Sequence, residues 1–143
     1  MLTLNKALCQ AQKMDPLNNA QGLEKARRLW EKAVPRKMTL EEACRVCHEC
    51  QELGPFTFNN GNTFAAIGRT FVEDSLKRLP PVEAQIIRTT ICHYIVGLIG
   101  RKELEQVLLH FESSLDLAPR DVHPPAPVPV PPTASPRGQR APA

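Results

Sequence analysis

From Ile86 to Ile99 the chain is apolar on nearly every side of a helical wheel. A helix without a polar face belongs in the middle of a bundle, where neighbours cover it all round. Strict apolar–polar alternation, the mark of a half-buried strand, is almost missing elsewhere. Apolar residues recur instead at three- and four-residue spacing. Together these features predict an all-α fold, a compact bundle of about five to six helices.

The helices can be read off in order. Leu4, Leu8 and Ala11 mark a first helix over 2–14, stopped by Asp15-Pro16. Leu23, Ala26, Trp30, Ala33 and Val34 share one face of a second, over 19–34, which Pro35 ends. Thr39-Leu40-Glu41-Glu42 has the pattern of a capping box and opens a third. Gly54 and Pro55 close it, with Gly54 expected in the left-handed conformation.

After a turn at Asn59-Asn60-Gly61, a cap at Asn62 or Thr63 starts a fourth helix with Phe64, Ile67, Phe71, Val72 and Leu79 inside. Gly68, in its middle, suggests close approach by another backbone. Pro81 suits the first turn of the fifth helix, in which Ile91, Ile95 and Leu98 are expected among the most buried residues. Gly100 leads to a sixth, with Leu104, Val107, Leu108, Phe111 and Leu115 on one seam.

Residues 119–143 hold nine of the fourteen prolines and no helical period. The expected division is a helical bundle domain over 1–118 and a disordered proline-rich tail over 119–143. Pro124-Pro125-Ala126-Pro127 and Pro129-Val130-Pro131-Pro132 have P-x-x-P form, but no flanking Arg or Lys orients them for an SH3-like groove. A tether is the expected role.

The chain carries a net charge of +3, unevenly spread. Residues 1–37 have eight Lys/Arg against three acids, whereas 38–118 have seven against eleven. Lys25, Arg28 and Lys32 fall on one face of the second helix, and Arg36 and Lys37 extend the stretch. Such a stripe could hold phosphates, which makes a nucleic-acid-associated accessory protein using 25–37 one reading. Glu24 and Glu31 dilute it, and no aromatic side chain interleaves it for base stacking. A solvated face, or one that meets acidic protein surface, is the expectation.

Metal-capable side chains crowd into Cys44-Arg45-Val46-Cys47-His48-Glu49-Cys50. The stretch contains C-x-x-C-H, which attaches haem, and C-x-x-C, which begins many zinc sites. Haem attachment belongs to an oxidising compartment, and no export signal is visible at the N-terminus. Zinc ligands of this spacing converge best on a tight turn, not within a regular helix, and no second C-x-x-C follows. Cys44, Cys47 and His48 could supply three ligands to zinc, with a fourth from Cys9, Cys92 or His93, and Cys50 is a further candidate ligand. The competing reading puts the cysteines beside Leu40, Ala43 and Leu53 as the buried stripe of the third helix, where a free thiol packs as a small hydrophobe.

Cys92-His93 is no nucleophile–base pair, because adjacent residues on a helix point about 100° apart. No catalytic or cofactor-binding motif is recognisable, so no enzyme and no cofactor are expected. The longest apolar run falls well short of the ~20 residues of a membrane span. Five cysteines, an odd number, fit free thiols in the cytoplasm. The function expected is that of a small cytoplasmic helical protein that binds another protein or itself.

Overall fold

The computed structural model describes residues 1–33 and 37–112. Those residues form six helices: α1 Leu2–Ala11, α2 Ala20–Ala33, α3 Leu40–Glu52, α4 Asn60–Leu76, α5 Pro81–Ile95 and α6 Arg101–His110. No strand occurs among the described residues, only an isolated antiparallel bridge between Asn18 and Phe56. The all-α bundle expected from the periodicity is therefore the fold. No helix of the described residues is long and apolar enough to cross a membrane. Val34, Pro35 and Arg36, Leu115 and the whole proline-rich segment lie outside those residues.

The boundaries follow local chemistry. α3 opens on a full capping box: the Thr39 hydroxyl accepts from the Glu42 amide at 3.2 Å, and the Glu42 carboxylate accepts from the Thr39 amide at 2.9 Å. Its exit passes through Gly54 at φ +56°, where a side chain would be strained. α1 ends earlier than its pattern suggested. Lys13 turns left-handed at φ +56°, and the Met14 amide donates back to the Cys9 carbonyl at 2.8 Å.

α4 starts earlier than expected. Asn59, not Asn62 or Thr63, is its N-cap, at φ +60°. The Asn60 side chain bonds both the carbonyl and the amide of Phe56, at 2.7 and 3.0 Å, and this clamp replaces an ordinary cap.

α3, α4 and α5 enclose the core. Phe64, Ile67, Val72 and Leu76 of α4 meet Ile87, Ile91 and Ile95 of α5, all buried. Each such aliphatic side chain contributes on the order of 1.5–3 kcal/mol by leaving water. α6 adds Leu104 and Leu108. The Arg88 guanidinium joins α5 to α4 through a two-pronged pair with Glu73, at 2.9 and 3.2 Å.

α1 is held by a polar contact. Asn5 is 1% exposed, and its side-chain N–H groups donate to the Phe58 carbonyl at 2.8 Å and to the Thr63 hydroxyl at 3.1 Å.

Two expectations, one about α5 and one about α4, need correction. Ile91 and Ile95 are fully buried, but Leu98 is 70% exposed. The helix stops before it: Gly97 sits at φ +82°, its amide donates to the Tyr94 carbonyl, and the Leu98 amide reaches the His93 carbonyl at 2.8 Å. This left-handed cap swings Leu98 off the helix. Gly68, in turn, accommodates a side chain, the Cδ1 of Ile95, and not a backbone. The backbone approach occurs at Gly22, against the carbonyls of Leu53 and Gly54.

Candidate functional site

Three groups of residues are candidates for function: the α3 thiols, the α2 cations and the outer face of α5.

The capping box and Gly54 set the ends of α3, and packing of its apolar face turns Cys44, Cys47 and Cys50 inward. All three are fully buried, in one cluster with Leu40, Ala43 and Val46. Burial disfavours the thiolate. It pushes the Cys44 thiol up to about 12, with smaller contributions from Cys92 and Glu41. Burial likewise raises Cys50 to about 12, helped by Glu49, and drives Cys47 well above its ordinary value. The thiolate is the form that attacks an electrophile, so these sulfurs are held in the wrong state for nucleophilic chemistry at neutral pH.

His48 points elsewhere. Its Nδ1 lies 3.0 Å from the Ile95 carbonyl at the end of α5, so that nitrogen carries the hydrogen and donates it. The ring stands 5.2 Å from that of Tyr94. His48 thus ties α3 to the C-terminus of α5. Cys9 is engaged with Asn5 and Asn59 under α1, His93 is exposed, and Cys92 is half-buried with its thiol raised by burial against the opposing pull of Arg69. Among the described residues no three His, Cys, Asp or Glu side chains are grouped to hold a metal ion. The C-x-x-C-H spacing is not gathered into a ligand set.

The cations of α2 are on the surface. Lys25, Arg28 and Lys32 are exposed, and Arg28 pairs with Glu24 of its own helix at 2.9 Å. Lys32 and Lys37 border a groove of about 260 Å³ between α2 and α3, floored by Leu29, Ala33, Met38 and Val46. Glu42, Arg45 and Glu49 complete that rim, so the basic stretch runs into acidic residues at its α3 side. Arg36 lies outside the described residues. The stretch is not one uninterrupted cationic surface.

The third group went unseen in the sequence. Val82 is 72% exposed and Ile86 is 45% exposed. With Pro81, Gln85, Thr89 and Thr90 they line a shallow, open depression on the outside of α5. None of those six side chains is charged. Glu83 and Arg88 flank the stripe, and Arg88 is already engaged by Glu73. The sequence carries only part of the signal: the apolar run begins at Ile86, and Val82 precedes it. The fold covers only the side bearing Ala84, Ile87, Ile91 and Ile95.

No protein-family model, curated protein or solved structure matches this chain.

Proposed function

We propose that this chain is an interaction module, an adaptor, accessory or assembly subunit that presents the outer face of α5 to another protein surface. One observation carries the reading: a contiguous, uncharged, partly apolar stripe on a helix whose opposite side already fills the core. Single exposed apolar residues, such as Leu98 and Leu109, are ordinary on any surface. Val82 and Ile86 differ because they adjoin on one helix and sit in a depression with no charged lining. Covering them would contribute up to about 1.5–3 kcal/mol each, enough to matter for association.

Five free thiols suit a reducing compartment, and the cytoplasm is where we place the protein.

Diffusion in living cells tests this reading. The tagged wild-type chain should diffuse more slowly than its tagged 15.9 kDa mass alone requires. A Val82→Asp, Ile86→Asp variant should diffuse as a monomer. A wild-type chain that already diffuses as a monomer, or a slow complex the substitutions leave unchanged, would contradict it.

A further inference from the structure

We infer that the groove between α2 and α3 is a docking site for an acidic peptide segment of another protein, which seats one bulky apolar side chain there and sets flanking Asp or Glu against Lys32 and Lys37. None of its residues belongs to the outer face of α5, so the two surfaces stand or fall separately.

Size limits the occupant. The groove holds about 260 Å³, below the roughly 300–1,000 Å³ of small-molecule sites. It takes one large side chain, not a cofactor. Leu29 and Ala33 of α2, Met38 just before α3 and Val46 within it form the floor. Met38 is unbranched and adaptable, so the floor fits Leu, Phe or Met alike.

Charge selects the flanks. Ionised side chains edge the groove, and most are already engaged. The Glu42 carboxylate accepts from the Thr39 amide in the capping box, and Glu49 pairs with Arg45 at 3.5 Å. Lys32 and Lys37 are exposed and make no ion pair among the described residues. The groove therefore lacks negative charge on their side. Lys25, two turns back on the same face of α2, extends that side.

Other occupants fit worse. An uncharged apolar segment would cover both ammonium groups without pairing them. A basic one would meet them with like charge. A phosphate chain would find the cations but leave the apolar floor unused, and Glu42 and Glu49 would repel it. One anchor and two solvent-exposed ion pairs make a weak, salt-sensitive complex, with a Kd on the order of 10–300 micromolar.

Selection of a random peptide library, displayed on phage, against the purified full-length chain tests the inference. Enriched peptides should share one Leu, Phe or Met with Asp or Glu within about four residues of it. The best of them, made as a labelled synthetic peptide, should bind less tightly as salt rises. A Lys32→Glu, Lys37→Glu variant should weaken binding about tenfold or more, and so should Ala33→Leu, which fills the floor. Circular dichroism should show unchanged helicity in both, since the lysines are exposed and Ala33 is the last residue of α2. The same peptide with Lys in place of its acids should prefer the double variant to the wild type. Val82→Asp, Ile86→Asp should bind as the wild type does.

No enrichment, or enrichment of basic or uncharged peptides alone, overturns the inference. So does binding that the lysine variant and Ala33→Leu both leave unchanged. Peptides lost only in Val82→Asp, Ile86→Asp belong to the α5 face and support that reading instead. Self-association of the chain that the lysine variant abolishes would give the groove to a second copy. An oligonucleotide that binds there more tightly than any peptide would give it to nucleic acid. Either result overturns the acidic-peptide assignment.

Discussion

Gly22 of α2 packs directly against the backbone carbonyl of Leu53 at the exit of α3. A Cβ at position 22 would overlap the Leu53 oxygen and stand 2.7 Å from that of Gly54. Neither oxygen can rotate away, because both belong to the turn that ends α3. Gly22→Ala should therefore destabilise the fold by about 2 kcal/mol, despite the helix propensity that Ala adds. Gly68→Ala would press on the Cδ1 of buried Ile95, a side-chain end that can shift where the carbonyls at Gly22 cannot, and should cost less than Gly22→Ala. Urea unfolding of the two variants checks the contrast. Equal losses would contradict the close approach at Gly22.

The position of the intolerant glycine shows where sequence reading stops. Gly68 drew attention because it interrupts a helical pattern, yet the neighbour it admits is a side chain. Gly22 lies two residues inside α2, and nothing in the sequence announces that the α3–α4 turn will cross it. That contact joins residues thirty-one positions apart, beyond the reach of any local pattern. Thr39 and Gly54 were legible because caps are chemistry within four residues. Asn59 and Asn60 were only half legible: the turn was visible, but not that the Asn60 amide would clamp Phe56 and pull the helix start forward. Leu98 follows the apolar period of α5, but Gly97 before it is also a helix stop, and nothing local decides between the two. Asn5 gave no signal at all. Its burial depends on Phe58 and Thr63 of another part of the chain. The apolar run from Ile86 is legible, but a sequence does not say which side of a helix the fold leaves bare, and Val82 lies before that run.

The thiols provide a second test. At neutral pH a thiol reagent should modify Cys92, the partly exposed cysteine, and reach Cys9, Cys44, Cys47 and Cys50 only on unfolding. Elemental analysis should find well under one equivalent of zinc or iron. The raised thiol pKa values also fix a pH dependence. The unfolded chain ionises its cysteines near the usual value of about 8.5, whereas folded Cys44 and Cys50 hold their protons to about 12. Their contribution is whole below the unfolded value and is lost as pH rises towards the folded one. Stability should fall across that window, and less steeply in a Cys44→Ala, Cys50→Ala variant. Stoichiometric metal, or fast modification of Cys44 in native protein, would contradict their assignment to the core.

Acid acts through Glu73. The Arg88 hydrogen bond and charge hold its carboxyl below the usual range. A lowered carboxylate pKa stabilises above the unfolded value and loses that contribution as pH falls through the folded one. Glu73→Gln should therefore be less stable than wild type at neutral pH. The gap should close below roughly pH 4, the ordinary glutamate range. The effect is small, because the pair is only partly shielded from water. A gap unchanged down to pH 2 would show that Glu73 works by packing and not by charge.

The α2 cations separate protein binding from nucleic-acid binding. Titration of labelled single- and double-stranded oligonucleotides at physiological salt should show no micromolar complex, since the exposed Lys25, Arg28 and Lys32 share their surface with Glu24 and the α3 acids. Binding that tightens at low salt and is lost in a Lys25→Glu, Arg28→Glu variant would instead make the basic stretch the working surface.

If the outer face of α5 is the interaction surface, protein covers it in the cell. A photo-crosslinking side chain placed at Val82 should form a discrete covalent protein adduct in living cells. The same group at Leu98, which is equally exposed but lies beyond the end of α5, should form none. Adducts at Leu98 with none at Val82, or equal diffuse labelling at both, would contradict it.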